Sequence, residues 1–328
     1  MKRIVVDIYG ADAGPEVIIT GVSEALKQGI SFFPVLVGQA SLIRQLLEEA
    51  QIAPEQYEIL DTDRFITNND PPTCIFGGMD DSSMAMAYDR LKNDDRCDAM
   101  LSAGNTGALL VGSIFRLGLL QGLKFPALAS ALPARDGKLV CLVDCGANVE
   151  CSSADLVRFA RMGNVFSKAY CGIENPRVGL MNVGREAQKG NALTREAYEK
   201  LQDLPMNFIG NLEGGDLLTG YADVVVTDGF SGNLLLKNAE AVGKAALAIA
   251  EQVAADAAPE LLATLRRRLT EAFDFNAQGA ATFLGTKKTV VKMHGCASVN
   301  TVVTSIMQIL RLENAGFAQA MKEEMAAR

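Results

Sequence analysis

Residues 174–191 read "ENPRVGLMNVGREAQKGN". A short, mainly apolar run from Val178 to Val183 gives way to Gly184, Arg185, Glu186, Gln188, Lys189, Gly190 and Asn191, and "ALTREAYEKL" then resumes with helical spacing. Strand, polar glycine-bearing loop and helix, in that order, form the repeating unit of α/β folds. Working outward, the same order recurs. Strand-like runs are "RIVVD", "FFPVLVG", "CDAMLSAG", "ALASALP", "KLVCLVDCG", "RVGLMNVG", "MNFIGN" and "ADVVVTDG". Helical periodicity covers 15–28, 40–50, 82–92, 106–119, 153–169, 193–202 and 231–254. Several strand runs are apolar on both faces, as strands covered by helices on either side should be. The pattern predicts an α/β protein, a three-layer α/β/α sandwich around a mostly parallel sheet. No Pro/Gly/Ser linker, repeat or low-complexity tract interrupts it, so residues 1–328 are expected to form a single domain. One segment departs from the alternation: residues 231–273 read as two consecutive helices turning near "ADAAPE", a hairpin expected to project from the sheet. Its second helix carries Leu261, Leu262, Leu265, Leu269 and Phe273 on one side, next to Arg266, Arg267 and Arg268.

Composition narrows the function classes. Of 328 residues, 49% are hydrophobic and 21% charged, the profile of a globular chain. A net charge of −8 argues against a general nucleic-acid surface. The 7 cysteines include no C-x-x-C pair and accompany a single histidine, which leaves a structural zinc site little support. Scattered cysteines of this kind read as reduced, mostly buried cytosolic thiols. "MKRIVVD" enters a strand without a leader, and no apolar stretch reaches the roughly 18 residues of a spanning helix. A cytoplasmic location is expected, compatible with peripheral contact at a membrane.

The informative loops all follow strands: "DIYGADAGPE" (7–16), "SAGNTGAL" (102–109), "DCGANVE" (144–150), "NVGREAQKGN" (182–191), "DGFSGN" (228–233) and "GNLEGGD" (210–216). Open α/β sheets bind ligands at that end. Glycine and asparagine also serve simply to turn a chain, so each loop alone is weak evidence. Neither G-x-G-x-x-G after the first strand nor a phosphate loop with Gly-Lys-Ser/Thr occurs. The loops offer amides (Asn105, Asn148, Asn182, Asn191, Asn233), cations (Arg185, Lys189, Arg177) and carboxylates (Asp7, Asp144, Asp228, Glu186). No G-x-S-x-G elbow is present, and only His294, in "KMHGCAS", could serve a Ser–His pair or else hold structure. The set suits anion binding and carbonyl polarisation better than covalent catalysis. Inorganic phosphate would suit it as a nucleophile, being already anionic. A hard cation on Asp7, Asp12, Asp144 and Asp228 is the competing reading.

Taken together, "SAGNTGALL", "DCGANVE", "IENPRVGLMNVGREAQKGN", "NFIGNLEGGD", "ADVVVTDGFSGN" and "HGCAS" resemble, in order and spacing, the phosphate acyltransferases of bacterial phospholipid synthesis. The likeness runs from about residue 4 to 312 and is most specific through 98–237. It implies a fold related to phosphotransacetylases and to isocitrate and isopropylmalate dehydrogenases, a homodimer, and peripheral membrane association, for which residues 256–273 are the candidate. It also implies transfer of an acyl group from acyl carrier protein thioester to inorganic phosphate, with no cofactor beyond the carrier's phosphopantetheine arm. On this resemblance Lys189, Asn233 and His294 are the catalytic candidates. Asp7, Gly10, Asn105, Thr106, Asp144, Asn148, Asn182, Glu186, Asn211 and Asp228 are the substrate-binding ones. The chain departs from the family in places. The usual D-A-M-G-G-D-H-x-P appears as "DIYGADAGP", with Ala11 for the second glycine and no histidine. Met79 and Asp80 stand where a basic pair precedes D-S-S, and "GAATFLG" (279–285) replaces G-G-A-P-L-L-G. An acyl-CoA-dependent phosphotransacetylase-like enzyme, or a weakened paralogue that only binds carrier or acyl ligand, are the alternatives these departures leave open.

Overall fold

Strand β1 (Lys2–Asp7) turns Ile4 and Val6 to one face and Val5 to the other, and all three are fully buried. A strand dry on both faces needs helices on both. The structure, a computed structural model, describes residues 1–254, 259–273 and 279–327. After β1 come α1 (Pro15–Lys27), β2 (Phe32–Gly38), α2 (Ala40–Glu49), β3 (Glu58–Asp61), α3 (Ser83–Asn93), β4 (Cys97–Ser102) and α4 (Thr106–Gly112). Then follow β5 (Ala127–Pro133), β6 (Leu139–Val143), α5 (Ser153–Phe166), β7 (Val178–Met181), α6 (Ala192–Gln202), β8 (Phe208–Leu212) and β9 (Val224–Val226). The remainder is α7 (Gly229–Ala254), α8 (Pro259–Phe273), β10 (Ala281–Leu284), β11 (Thr289–Lys292), α9 (Val299–Asn314) and α10 (Phe317–Ala326).

These elements group into two compact units: Met1–Pro126 with Gly279–Arg328, and Ala127–Gln278. The second unit is inserted in the first, so no linker composition marks the boundary. In the first unit the strands run β3-β2-β1-β4-β11-β10, parallel except for β10. Ile4, Val6 and Ile8 join one core cluster with Ile18, Ile19 and Val22 of α1, Ile43 and Leu47 of α2, and Val302, Ile306 and Ile309 of α9. Helix α3 packs on β1, β2 and β4, burying Tyr88 and Leu91 completely. Strands β3, β10 and β11 and helices α9 and α10 go beyond the elements expected from sequence.

In the second unit the order is β5-β6-β9-β7-β8, with β5 antiparallel to β6 and the rest parallel. Helix α5 lies tight on it: a side chain at Gly163 would meet methyls of Val224 and Val143 at 2.7 and 2.8 Å. At the β8 edge Val178 pairs with Phe208 but Leu180 with Asn211. β8 therefore carries one extra residue, a bulge at which Gly210 takes φ +91°. Helices α7 and α8 pack on each other, with Phe273 seated against Gly243. Of the predicted "ADAAPE" turn (255–260), residues 255–258 lie outside the described residues. Leu262, Leu265, Leu269 and Phe273 are half-buried, so of the leucine face expected to project, only Leu261 is largely exposed. Arg266 is tied to Glu251 of α7 at 2.7 Å.

Candidate active site

In the first unit the chain passes from β3, on one side of β1, to β4 on the other, and the carboxyl ends of β1 and β4 mark that switch point. Asp7 closes β1. Its carboxylate accepts from Ser102 Oγ at 2.8 Å and from the Tyr9 N–H at 3.3 Å, and Ser102 Oγ accepts in turn from the Gly104 N–H at 3.0 Å. Gly10, at φ +99°, lies against the Gly104 backbone, where any side chain would collide. Asp7 is 1% exposed. Burial pushes its carboxyl up to about 6, opposed by hydrogen bonds from Ser83, Ser102 and Tyr9. Asp7 thus fastens two loops together from below. Asn105 caps α4, its Oδ1 accepting from Ala108 N–H at 3.0 Å while Nδ2 donates to Thr67 O at 3.2 Å. Thr106 opens that helix, half-buried. His294 follows β11, half-buried, and Asp12 N–H donates to the neighbouring Gly295 O at 2.7 Å. The acidic residues of 76–84 are both paired: Asp80 with Arg116 and Asp81 with Arg64, each at 2.5 Å.

In the second unit the ends of β6, β7, β8 and β9 bring the other loops together. Asp144 is fully buried and accepts from the N–H groups of Leu128, Gly146, Ala147 and Asn148 and from Asn148 Nδ2. Burial raises its carboxyl above the ordinary range, and those donors oppose the rise. Gly229 N–H donates to Asn148 O at 2.7 Å, joining this loop to the start of α7. Asp228 caps that start, accepting from Ser231 N–H at 2.8 Å and Ser231 Oγ at 2.9 Å. Asn233 is exposed on the next turn, over Gly146.

The 182–191 loop is closed on itself and pinned from outside. Asn182 Nδ2 donates to Lys189 O at 3.1 Å, Lys189 N–H to Glu186 O at 3.0 Å, and Asn211 Nδ2 to Glu186 O at 2.9 Å. Arg185 pairs with Asp216 at 2.6 Å and lies over the Tyr221 ring, 5.0 Å from its centroid. Gly190, at φ +97°, has no room for a side chain between Thr194 and Asn182. The Glu186 and Lys189 side chains are exposed, and among the described residues Lys189 has no ion-pair partner. Of the three cations the sequence offered, Arg185 is therefore a loop clamp. Arg177 sits at the opposite, amino end of β7, held by Asp223 at 2.8 Å, and leaves the loop group altogether.

Beneath the loop lies a cavity of about 560 Å³ between β7, β9 and the first turns of α5, α6 and α7. Ser231, Thr194 and Asp216, with the cavity's leucines, are site neighbours that sequence reasoning missed. The Asp228-x-x-Ser231 capping spacing was the available signal. Among the described residues no three His, Cys, Asp or Glu side chains gather as a metal site.

Residues 2–320 match the family described as "fatty acid synthesis protein". The chain is 37% identical over 311 residues to the phosphate acyltransferase of Bacillus cereus (strain B4264), covering 93% of each chain. It is also 37% identical over 328 residues to that of Thermoanaerobacter pseudethanolicus, covering 98% of this chain and 97% of the relative. The chain belongs to the phosphate acyltransferase family. Among solved structures it resembles a phosphotransacetylase from Streptococcus pyogenes, with a TM-score of 0.67 at 16% identity over 97% of this chain and 94% of that one. At such identity the likeness speaks for the fold: a mixed α/β chain of the phosphotransacetylase kind. As a member of the phosphate acyltransferase family the protein is an enzyme, a transferase.

Proposed function

We propose that the enzyme moves a long-chain acyl group from the thioester of acyl carrier protein to inorganic phosphate, giving acyl phosphate for phospholipid synthesis. The carrying observation is the state of the cations around the 182–191 loop: Arg185 is neutralised by Asp216, whereas Lys189 is exposed without an ion-pair partner among the described residues. A loop braced by Asn182, Asn211 and Arg185 fixes the backbone from which that side chain extends, which supports a part in electrostatic stabilisation. A phosphate oxygen attacks the thioester carbon, forming a C–O bond and a tetrahedral oxyanion. Collapse of the oxyanion breaks the C–S bond, and the phosphopantetheine thiolate leaves and takes a proton from solvent. Lys189 offsets the charge of phosphate or oxyanion, and Asn233 supplies an amide donor. No metal or cofactor enters the scheme, because the nucleophile is already ionised.

The same reading makes the protein a cytoplasmic homodimer with peripheral membrane contact. Val242, Ile249 and Val253 stand exposed on one side of α7, an apolar stripe suited to a second copy. Leu261, 52% exposed at the start of α8, is the membrane candidate within 256–273, although 256–258 lie outside the described residues. No helix among the described residues is long and apolar enough to cross a membrane. The test of the reaction is incubation of purified protein with hexadecanoyl carrier protein or hexadecanoyl-CoA, with and without phosphate. Phosphate-dependent thiol release from the carrier donor is expected. Release from the CoA donor alone would reassign the substrate, and release from neither would leave a binding protein.

A further inference from the structure

The cavity beneath the 182–191 loop is walled by Leu156, Leu180, Met181, Leu234 and Leu235. Leu156 and Leu180 are at most 1% exposed, so the floor is core-like. Its size falls within the roughly 300–1,000 Å³ of small-molecule sites. Several polar atoms of its rim are already engaged. Asn182 Nδ2 donates to Lys189 O, Asn191 Oδ1 accepts from Thr194 N–H at 2.9 Å, and Asp228 is bound to Ser231. Among the described residues the Asp228 carboxylate is the only ionisable group that lines it, and neither Lys189 nor Arg185 does so. With a carboxylate at its rim, no lining cation among the described residues and an apolar floor, the cavity suits an uncharged chain. Lys189 and Asn233, the groups proposed to meet the reacting thioester, each lie two residues along the chain from a rim position, Lys189 before Asn191 and Asn233 after Ser231.

We infer that this cavity takes the hydrocarbon tail of the acyl group, and that Leu235, on the second turn of α7, sets how long a tail is accepted. The inference rests on the acyl-transfer reading above. Apolar pockets discriminate by roughly 10–200-fold per methylene they can or cannot house. Narrowing this one should therefore shift chain-length preference more than overall rate.

Two measurements test it. The first compares kcat/KM for octanoyl and hexadecanoyl carrier protein in wild type and Leu235→Trp, with folding checked by thermal melting. The octanoyl-to-hexadecanoyl ratio should rise at least tenfold, and an unchanged ratio, or an equal loss on both donors, overturns the inference. The second uses the absence of tryptophan from the chain. Val183, at the mouth, is 80% exposed, and Val183→Trp introduces a single fluorophore there. A hexadecanoyl donor brominated along its tail should quench that emission by more than half, while the unbrominated donor should not. Equal emission at saturating concentrations of both donors places the tail elsewhere. The fluorescence readout needs no turnover, so it decides the cavity even if Leu235→Trp fails to fold. It also separates the two readings: a wild type that releases no thiol from any donor counts against the reaction, whereas turnover without quenching counts against the cavity alone.

Discussion

Lys189 and Asp7 represent two kinds of candidate site residue, one exposed without an ion-pair partner among the described residues, the other buried and hydrogen-bonded. Replacing Lys189 by Met removes a charge from an exposed loop position and should leave folding intact. Losing one preorganised charge or donor costs about 2.7–4 kcal/mol, or 10²–10³ in rate. Phosphate-dependent turnover of Lys189→Met should fall by that factor, while Lys27→Met, at an exposed position near the end of α1, stays near wild type. Equal rates for the two variants would take Lys189 out of the reaction. Asp7 speaks through stability instead. Its carboxyl is raised from 3.8 to about 6, so the proton is held more tightly in the folded state. The associated stability is fully present below the unfolded value and is lost as pH rises through about 6. Asp7→Asn removes this titration. The stability of wild type relative to Asp7→Asn should drop by about 1.5 kcal/mol between pH 5 and 7.5. Urea unfolding of both proteins at the two pH values gives the difference, and a pH-independent one would mean that Asp7 titrates normally. Sequence alone could not separate these roles. "DIYG" and "DCGAN" both place an aspartate after a strand, and a carboxylate that binds a ligand looks the same in one dimension as one saturated by its own loop's N–H groups.

At the scale of elements, the buried parallel strands were legible because apolar runs bounded by glycine and asparagine leave few alternatives. The misses have physical reasons. β3 is a four-residue strand, Glu58–Asp61, with charged ends and only partial burial. β10 and β11 form an antiparallel pair in a fold read for strand–helix alternation. Helix α9 was readable from Val302, Val303, Ile306 and Ile309 behind the Ser298 cap, but it follows no parallel crossover in the expected order. The helical hairpin was legible as two helices, yet which leucines face α7 depends on packing. Leu261 is the exposed leucine left for the proposed membrane contact, where inserting such a side chain would be worth about 1.5–3 kcal/mol. Leu261→Glu should therefore weaken binding to anionic phospholipid vesicles by about tenfold or more, measured by co-sedimentation at matched oligomeric state. Unchanged binding would assign the anchor to another element.

For the whole molecule, a reaction whose nucleophile is ionised in solution should run without a divalent ion. After dialysis against EDTA, phosphate-dependent turnover should stay within twofold of the untreated enzyme. Loss that magnesium or manganese restores would instead move Asp144 and Asp228 into ligand roles. The bulge in β8 has a consequence of another kind. An edge strand exposes a straight row of N–H and C=O groups to which a second chain can add, and such edges seed aggregation. Here the extra residue at Gly210 breaks the row partway along a five-residue strand, and a net charge of −8 keeps copies apart. A second unit that ends in so crooked an edge is spared the strand-by-strand addition a straight one would invite.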